Sequence, residues 1–196
     1  MSQYWNDKFD KILVDEGVKD SETALRFFEI FGDKVEVIKG PPRDFKKGEL
    51  SSKEFAGSKR KIHLTEFKGQ FFKKCPGFHK GMACCNYFVL NLGFQCDMDC
   101  SSCYLQSFIN SNYLTVYTNI EDSLKELASF EHLKDQPVRV GTGEVIDSLS
   151  LDPITLYSRK LIEFFKDYPT WRLEFKTKSD KVDQFLDCDH AGNVIV

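Results

Sequence analysis

Tyr87-Phe88-Val89-Leu90-Asn91-Leu92-Gly93-Phe94-Gln95-Cys96-Asp97-Met98-Asp99-Cys100-Ser101-Ser102-Cys103 is the stretch on which the fold turns. Its first six residues read as a buried strand, and Gly93 opens a loop. That loop carries three cysteines spaced C-x-x-x-C-x-x-C. Thiolates this close in sequence suit one soft centre: zinc, copper(I) or an iron–sulfur cluster. Closed structural zinc wants four ligands, so a fourth would come from outside the loop, from Cys84, Cys85 or His79. A cuboidal 4Fe–4S cluster held by only three cysteines leaves one iron open to a substrate or cofactor. A chemically active loop at the C-terminal end of a strand is the placement that βα barrels use.

Downstream, strands alternate with helices. Residues 121–130 read as a helix, and 138–140 as a strand running into Gly141-Thr142-Gly143-Glu144. Residues 156–165 form an amphipathic helix, 171–177 a third strand, 182–186 the start of another helix and 193–196 a fourth strand. This alternation implies parallel βα units. The sequence stops inside an apolar strand with little to cover its edge, which reads as a fragment of a longer protein. Upstream, Asp20-Ser21-Glu22-Thr23 starts a helix, residues 34–38 alternate like a strand, and Gly40-Pro41-Pro42 is a firm break. The expected organisation is therefore a small α/β element with a mostly irregular basic connector over 1–82, then a partial barrel domain over 83–196.

Composition narrows the class. With 196 residues, 41% hydrophobic and 29% charged, the chain has ordinary globular usage. No run approaches the roughly 20 apolar residues of a membrane span, and the N-terminus lacks a signal-peptide core. The expected compartment is cytoplasmic, with no membrane partner, and seven cysteines then read as metal-binding or catalytic rather than as a disulfide framework. The net charge of −3 hides an asymmetry: residues 43–80 hold eleven Lys or Arg against four Asp or Glu, leaving −10 on the remainder. Phe45, Phe55, Phe67, Phe71, Phe72 and Phe78 are interleaved with these cations. Such a segment either lines a groove for nucleic acid or is a solvated face with its phenylalanines turned into the core.

The cysteine loop resembles the signature of the radical S-adenosylmethionine (radical SAM) superfamily, and the words around it are similar to the spore photoproduct lyase family. Those words are Cys75-Pro76-Gly77, Cys84-Cys85, Cys103-Tyr104-Leu105-Gln106, Tyr117-Thr118-Asn119, Asp152 and Lys176-Thr177-Lys178, with Ile12-Leu13-Val14-Asp15-Glu16 and Gly40-Pro41 near the start. The resemblance implies an α/β fold, a partial radical SAM (β/α) barrel preceded by a small N-terminal α/β element. It implies a 4Fe–4S cluster on Cys96, Cys100 and Cys103, with SAM chelating the fourth iron. Reductive cleavage of SAM would give a 5′-deoxyadenosyl radical that abstracts hydrogen from the substrate, fed by an external donor of flavodoxin or ferredoxin type. Tyr104 would lie near the adenine and is the catalytic candidate. Gly141, Thr142, Gly143 and Glu144 match the superfamily's glycine-glycine-glutamate region, whose carboxylate would accept from the methionine ammonium. Lys178 and Ser179 lie on the same rim, where the lysine would pair with the SAM carboxylate. DNA is the implied partner of the basic segment 43–80.

Two departures bear on the substrate. The family lyase returns a hydrogen atom from a cysteine, and alignment through Asp152 puts Glu144 at that place; a carboxyl O–H is a far poorer donor. A tyrosine before the third cluster cysteine is here Ser102. The expectation is a lyase-like radical SAM enzyme with its substrate not established. The alternatives are a repair lyase reversing the spore thymine photoproduct, a non-catalytic iron–sulfur carrier, and a zinc-bearing nucleic-acid-binding module. Cys75, Cys84, Cys85 and Cys188 read as small buried apolar residues; the first three flank the first strand, from which one of them could replace the missing donor. His63, His79, His132 and His190 form no spaced pair.

Overall fold

A computed structural model describes residues 2–77, 81, 83 and 85–196, with Ser2, Leu105 and Gln106 described in their backbone alone. In chain order the elements begin with α1 (Ser2–Lys8), β1 (Lys11–Asp15), α2 (Glu22–Phe31), β2 (Val35–Ile38), α3 (Ser52–Ser58) and β3 (Lys61–Thr65). Then come β4 (Phe72–Lys74), β5 (Tyr87–Leu90), β6 (Gly93–Phe94), β7 (Leu114–Tyr117) and α4 (Ile120–Ser129). The chain continues with β8 (Val138–Thr142), α5 (Asp152–Thr155), α6 (Tyr157–Phe165), β9 (Trp171–Phe175) and β10 (Val194–Ile195). Packing divides it into two units, one of Met1–Phe67 with Gly93–Asn119 and one of Lys68–Leu92 with Ile120–Val196.

The first unit is a five-stranded sheet in the order β2-β1-β3-β7-β6. Its first four strands are parallel, and β6 runs antiparallel to β7. Ile12, Val14, Ile62, Leu64 and Leu114 are buried along it. Ser21 caps α2 by accepting from the Ala24 N–H at 3.2 Å, and Gly32 ends that helix at φ +51°. The apolar face of α2 meets α1 through Trp5, Phe9, Phe27 and Phe31, whose ring centroids lie 5.5–6.1 Å apart in sequence. Helix α3 opens with a Ser51–Glu54 capping box. Asn119 closes the β7 end as a side-chain mimic of a strand, accepting from the Phe67 N–H at 2.9 Å and donating to its carbonyl at 3.0 Å.

The second unit is a sheet in the order β10-β9-β8-β5-β4. Strands β5, β8, β9 and β10 are parallel and join side by side in chain order, as successive strands of a barrel do, and β4 is antiparallel to β5. Phe72 is buried at its centre, with ring centroids 4.7 Å from Phe88, 4.8 Å from Phe130 and 5.8 Å from Trp171. Glu126 ties α4 to this sheet, accepting the Phe71 and Phe72 N–H groups at 2.9 Å each.

Three expectations differ from this structure. The contact boundary does not fall at 82/83, because residues 93–119 pack with the first unit. The stretch 41–82 is irregular over most of its length but is not merely a connector: it holds α3, β4 and β3, the central strand of the first sheet. Lys61 and His63 interrupt the apolar run there, so the strand is set by pairing on both edges rather than by local pattern. Residues 182–186 form only a 3₁₀ turn over Asp183–Phe185. Among the described residues no helix is long and apolar enough to cross a membrane.

Asp152 is a structural carboxylate, accepting the Ser158 N–H at 2.9 Å and its hydroxyl at 2.5 Å inside the first turn of α6. Burial pushes its pKa up, against the pull of those hydrogen bonds. A carboxyl that holds its proton more tightly when folded contributes stability that is full at the lowest pH and declines as pH rises through the raised folded value. Urea unfolding of wild type against Asp152→Asn should therefore show wild type losing ground as pH climbs from the ordinary aspartate range. A constant difference would contradict the buried environment.

Candidate functional site

Cys96, Cys100 and Cys103 lie in the first unit, half-buried and outside any disulfide. The Cys103 N–H donates to the Cys100 carbonyl at 3.1 Å, turning the chain between the last two cysteines. The Met98 N–H donates to Cys96 Sγ at 3.4 Å, a contact that stabilises charge on sulfur. Between these cysteines Asp97 is fully buried in its side chain and pairs with Lys8 from α1. Burial opposes the Lys8 charge, but the Asp97 carboxylate outweighs it and holds the ammonium above its ordinary pKa. Lys59, which caps the end of α3, donates to the carbonyls of Cys96 at 3.1 Å and Met98. Gln95 enters the loop at φ +72°, buried, with its side-chain amide bonded to Ser58.

Tyr104 follows on a 3₁₀ turn, 77% exposed, its ring centroid 5.1 Å from Phe108. Phe108 in turn lines a cavity of about 410 Å³ with Phe45, Phe94, Tyr117 and Lys47. Its wall is mixed, with Asn110, Ser111 and Thr115 beside the aromatic rings.

The remaining predicted residues belong to the second unit, at the C-terminal ends of β8 and β9. Gly141 has its missing side chain replaced by a neighbour from the same sheet: a β-carbon there would fall 1.6 Å from the Tyr87 hydroxyl. The close approach expected of a ligand is thus made by a tyrosine ring, over which Lys176 Nζ lies 4.3 Å from the centroid. Gly143 stands at φ +82°, where a β-carbon would meet the Ile146 carbonyl at 2.4 Å, so glycine is required by the turn itself. Thr142 donates to Ser148 Oγ at 2.8 Å. Glu144 pairs with Lys73 on β4 at 2.7 Å.

Asp147, which the sequence reading passed over, holds the rim together. One carboxylate oxygen accepts the Leu149 N–H at 3.0 Å, the Ser150 N–H at 2.9 Å and the Thr177 hydroxyl at 2.7 Å. The other accepts the Lys178 N–H at 2.7 Å. Ser148 adds a second stitch, accepting the Lys176 N–H at 3.0 Å. The loops carrying Glu144 and Lys178 are therefore zipped to each other, with Ser179 held by its N–H to Thr177 Oγ1 at 2.8 Å. The Asp-Ser pair that begins three residues beyond Glu144 was the available signal, since aspartate accepts amides two and three positions ahead.

Cys75 and Cys85 do not reach this rim. The Cys75 N–H donates to the Tyr87 carbonyl at 3.0 Å and Cys85 precedes β5, so both lie at the N-terminal end of a strand whose Leu90 pairs with Thr142. Three residues of strand separate the two ends, about 10 Å at the usual rise. Cys84 and His79 lie outside the described residues. The basic segment is partly spent within the fold: Lys46 pairs with Glu54, Arg60 with Asp10, Lys61 with Asp44 and Lys73 with Glu144. Phe71 and Phe72 are core residues, while Phe45 is exposed; Phe78 lies outside the described residues.

The donor set fits an iron–sulfur cluster. It consists of three cysteines outside any disulfide on one short loop, a backbone N–H aimed at one sulfur, and a buried cation beside the loop's carbonyls. Among the described residues no three His, Cys, Asp or Glu side chains close on a single metal ion. A cuboidal cluster places its irons at separate corners and asks one thiolate of each, so its ligands need not share a point.

Parallel strands, a three-cysteine loop and a glycine–glutamate rim define a protein of the radical SAM class. The model of the spore photoproduct lyase family matches residues 71–196, and the chain belongs to that family. Spore photoproduct lyase of Geobacillus sp. (strain Y412MC61) is 30% identical over 107 residues, covering 54% of this chain and 31% of the relative. That of Bacillus subtilis (strain 168) is 30% identical over 101 residues, covering 50% and 29%. Among solved structures, a spore photoproduct lyase double mutant with bound AdoMet and dinucleoside spore photoproduct aligns at TM-score 0.73 and 21% identity. A tyrosine-to-phenylalanine mutant aligns at 0.77 and 20%. Each alignment covers 95% of this chain and 54% of that chain, and establishes the fold. The chain spans about half the length of these structures.

Asp147→Ala should strand three amides and a hydroxyl, costing roughly 1–3 kcal/mol in urea unfolding, with Asp147→Asn recovering part of it. Unchanged stability and unchanged amide exchange at Leu149 and Lys178 would show that the zipper is not needed.

Proposed function

We propose that this chain carries the SAM-cleaving, radical-generating part of a spore photoproduct lyase-like enzyme. The observation that supports it best is the ordered loop of Cys96, Cys100 and Cys103, three cysteines outside any disulfide on a backbone held by Lys59 and Lys8. A 4Fe–4S cluster bound there would supply an electron and an open iron for SAM, whose cleavage yields methionine and a 5′-deoxyadenosyl radical. The three thiolates hold the cluster. With SAM bound, Tyr104 would lie near the adenine. Glu144, whose carboxylate pairs with Lys73, would accept from the methionine ammonium, and Lys178 would pair with the methionine carboxylate. Gly141, Thr142, Gly143 and Ser179 would shape the turns that present Glu144 and Lys178. An external donor of flavodoxin or ferredoxin type supplies the electron.

The proposed substrate class is a base in DNA, met by the basic segment 43–80. Reversal of the spore thymine photoproduct is a second reading, favoured by the dinucleoside photoproduct bound to a structural relative. Against it, Glu144 stands where the family has its donor thiol, and Cys75 and Cys85 sit at the opposite end of β5.

Anaerobic reconstitution should load about four irons and four sulfides per chain, with a spectral change on adding SAM. Cys100→Ala should abolish both, because two thiolates do not hold the cluster, while Cys188→Ala should leave iron content near wild type. Full iron in Cys100→Ala, or one zinc and no visible absorption in wild type, would sink the assignment.

For the full-length protein, dithionite-driven reaction should give 5′-deoxyadenosine but slow or aberrant repair of a photoproduct-containing oligonucleotide. Mass spectrometry of the products is the check. Clean conversion to thymines at the rate of SAM turnover would restore the repair-lyase reading.

A further inference from the structure

Lys59 is 8% exposed. A lysine is almost never buried this deeply without an anion beside it, because removing an ammonium from water costs several kcal/mol. Among the described residues Lys59 meets no carboxylate. Its Nζ donates to the Cys96 and Met98 carbonyls and lies 4.8 Å from the Phe55 ring centroid. Asp97, which lies between those carbonyls in sequence, is paired with Lys8. Among the described residues the cation is thus met by dipoles and a ring face.

The counter-charge that fits is the loop's own. Metal ligation deprotonates cysteine, so three thiols on the backbone that Lys59 grips become three thiolates when the site is loaded. We propose that Lys59 is the positioning residue of the cysteine loop: it pins the backbone at Cys96 and Met98 before loading, and its charge then favours the reduced state of the bound cluster. This rests on the reading of the loop as a 4Fe–4S site. The grip is pre-set by the neighbouring turn. Ser58 is buried, takes the Gln95 amide and donates to the Phe55 carbonyl at 2.5 Å, which fixes the entry to the loop from the same helix end. Residues 55–59 lie ahead of the 71–196 stretch matched to the family, so the N-terminal unit acts here as the template on which the thiols are set.

The experiment compares wild type with Lys59→Met, which keeps the apolar stem, Lys59→Arg, which keeps the charge, and Lys59→Gln, which keeps a donor without charge. In the metal-free chain, hydrogen exchange at 96–103 should speed by about tenfold or more in Lys59→Met and stay near wild type in Lys59→Arg. In the reconstituted protein, redox titration should place Lys59→Met and Lys59→Gln at a more negative midpoint than wild type, with Lys59→Arg restoring it. If Lys59→Met fails to fold, the Arg and Gln variants carry the comparison. Equal midpoints and equal exchange in a wild type and variants that all carry the cluster would overturn this inference alone. A wild-type chain that takes up no cluster would overturn the reading of the loop, and this inference with it.

Discussion

Between Cys96 and Cys100 the chain buries a carboxylate, and the first unit is arranged to neutralise it. An unpaired aspartate at the depth of Asp97 would be untenable, so Lys8 has to be delivered to it. Lys8 closes α1, and α1 stays in place because Trp5 and Phe9 pack against Phe27 and Phe31 of α2. Helix α2 in turn connects β1 to β2 in the sheet whose β3 and β7 bracket the cysteine loop in sequence. One buried charge thus ties the cysteine loop near the middle of the chain to its first eight residues. Lys59 makes the same connection from α3, through carbonyls rather than a carboxylate.

The second unit solves a different problem. Loops at the C-terminal ends of parallel strands have no ladder to hold them, and here they hold one another. Asp147 satisfies amides from its own loop and from the one after β9, and Ser148 repeats the link. This fixes Glu144 and Lys178 on a common rim without filling it with apolar side chains. The two glycines serve the same end by different means, Gly141 by leaving room for Tyr87 and Gly143 by turning the chain at positive φ.

Much of this was legible in the residues. The three-cysteine spacing, the strands at 87–90, 138–142 and 171–175 and the helices at 120–129 and 157–165 all followed from local pattern, because an apolar period and a glycine break act over a few residues. Strand β1 was seen only as a run of family resemblance, and β3 and β7 were not read as strands at all. Their place is decided by pairing with segments about 50 residues away, and a polar Lys61 or His63 hides a strand whose two edges are both bonded.

By itself the sequence determined the chemistry on offer: which thiols share a loop, which glycines and carboxylate follow the second βα strand, and that parallel βα units carry the latter. It also determined the caps and turns, since these depend on side chains within a few positions of the backbone they satisfy. Only the tertiary structure decided which charges are buried and against what. Asp97 and Lys59 look like ordinary surface residues in the sequence; one is paired from 89 residues away and the other grips a loop 37 residues downstream. Burial and ion pairing are properties of packing across the chain, so no local pattern announces them.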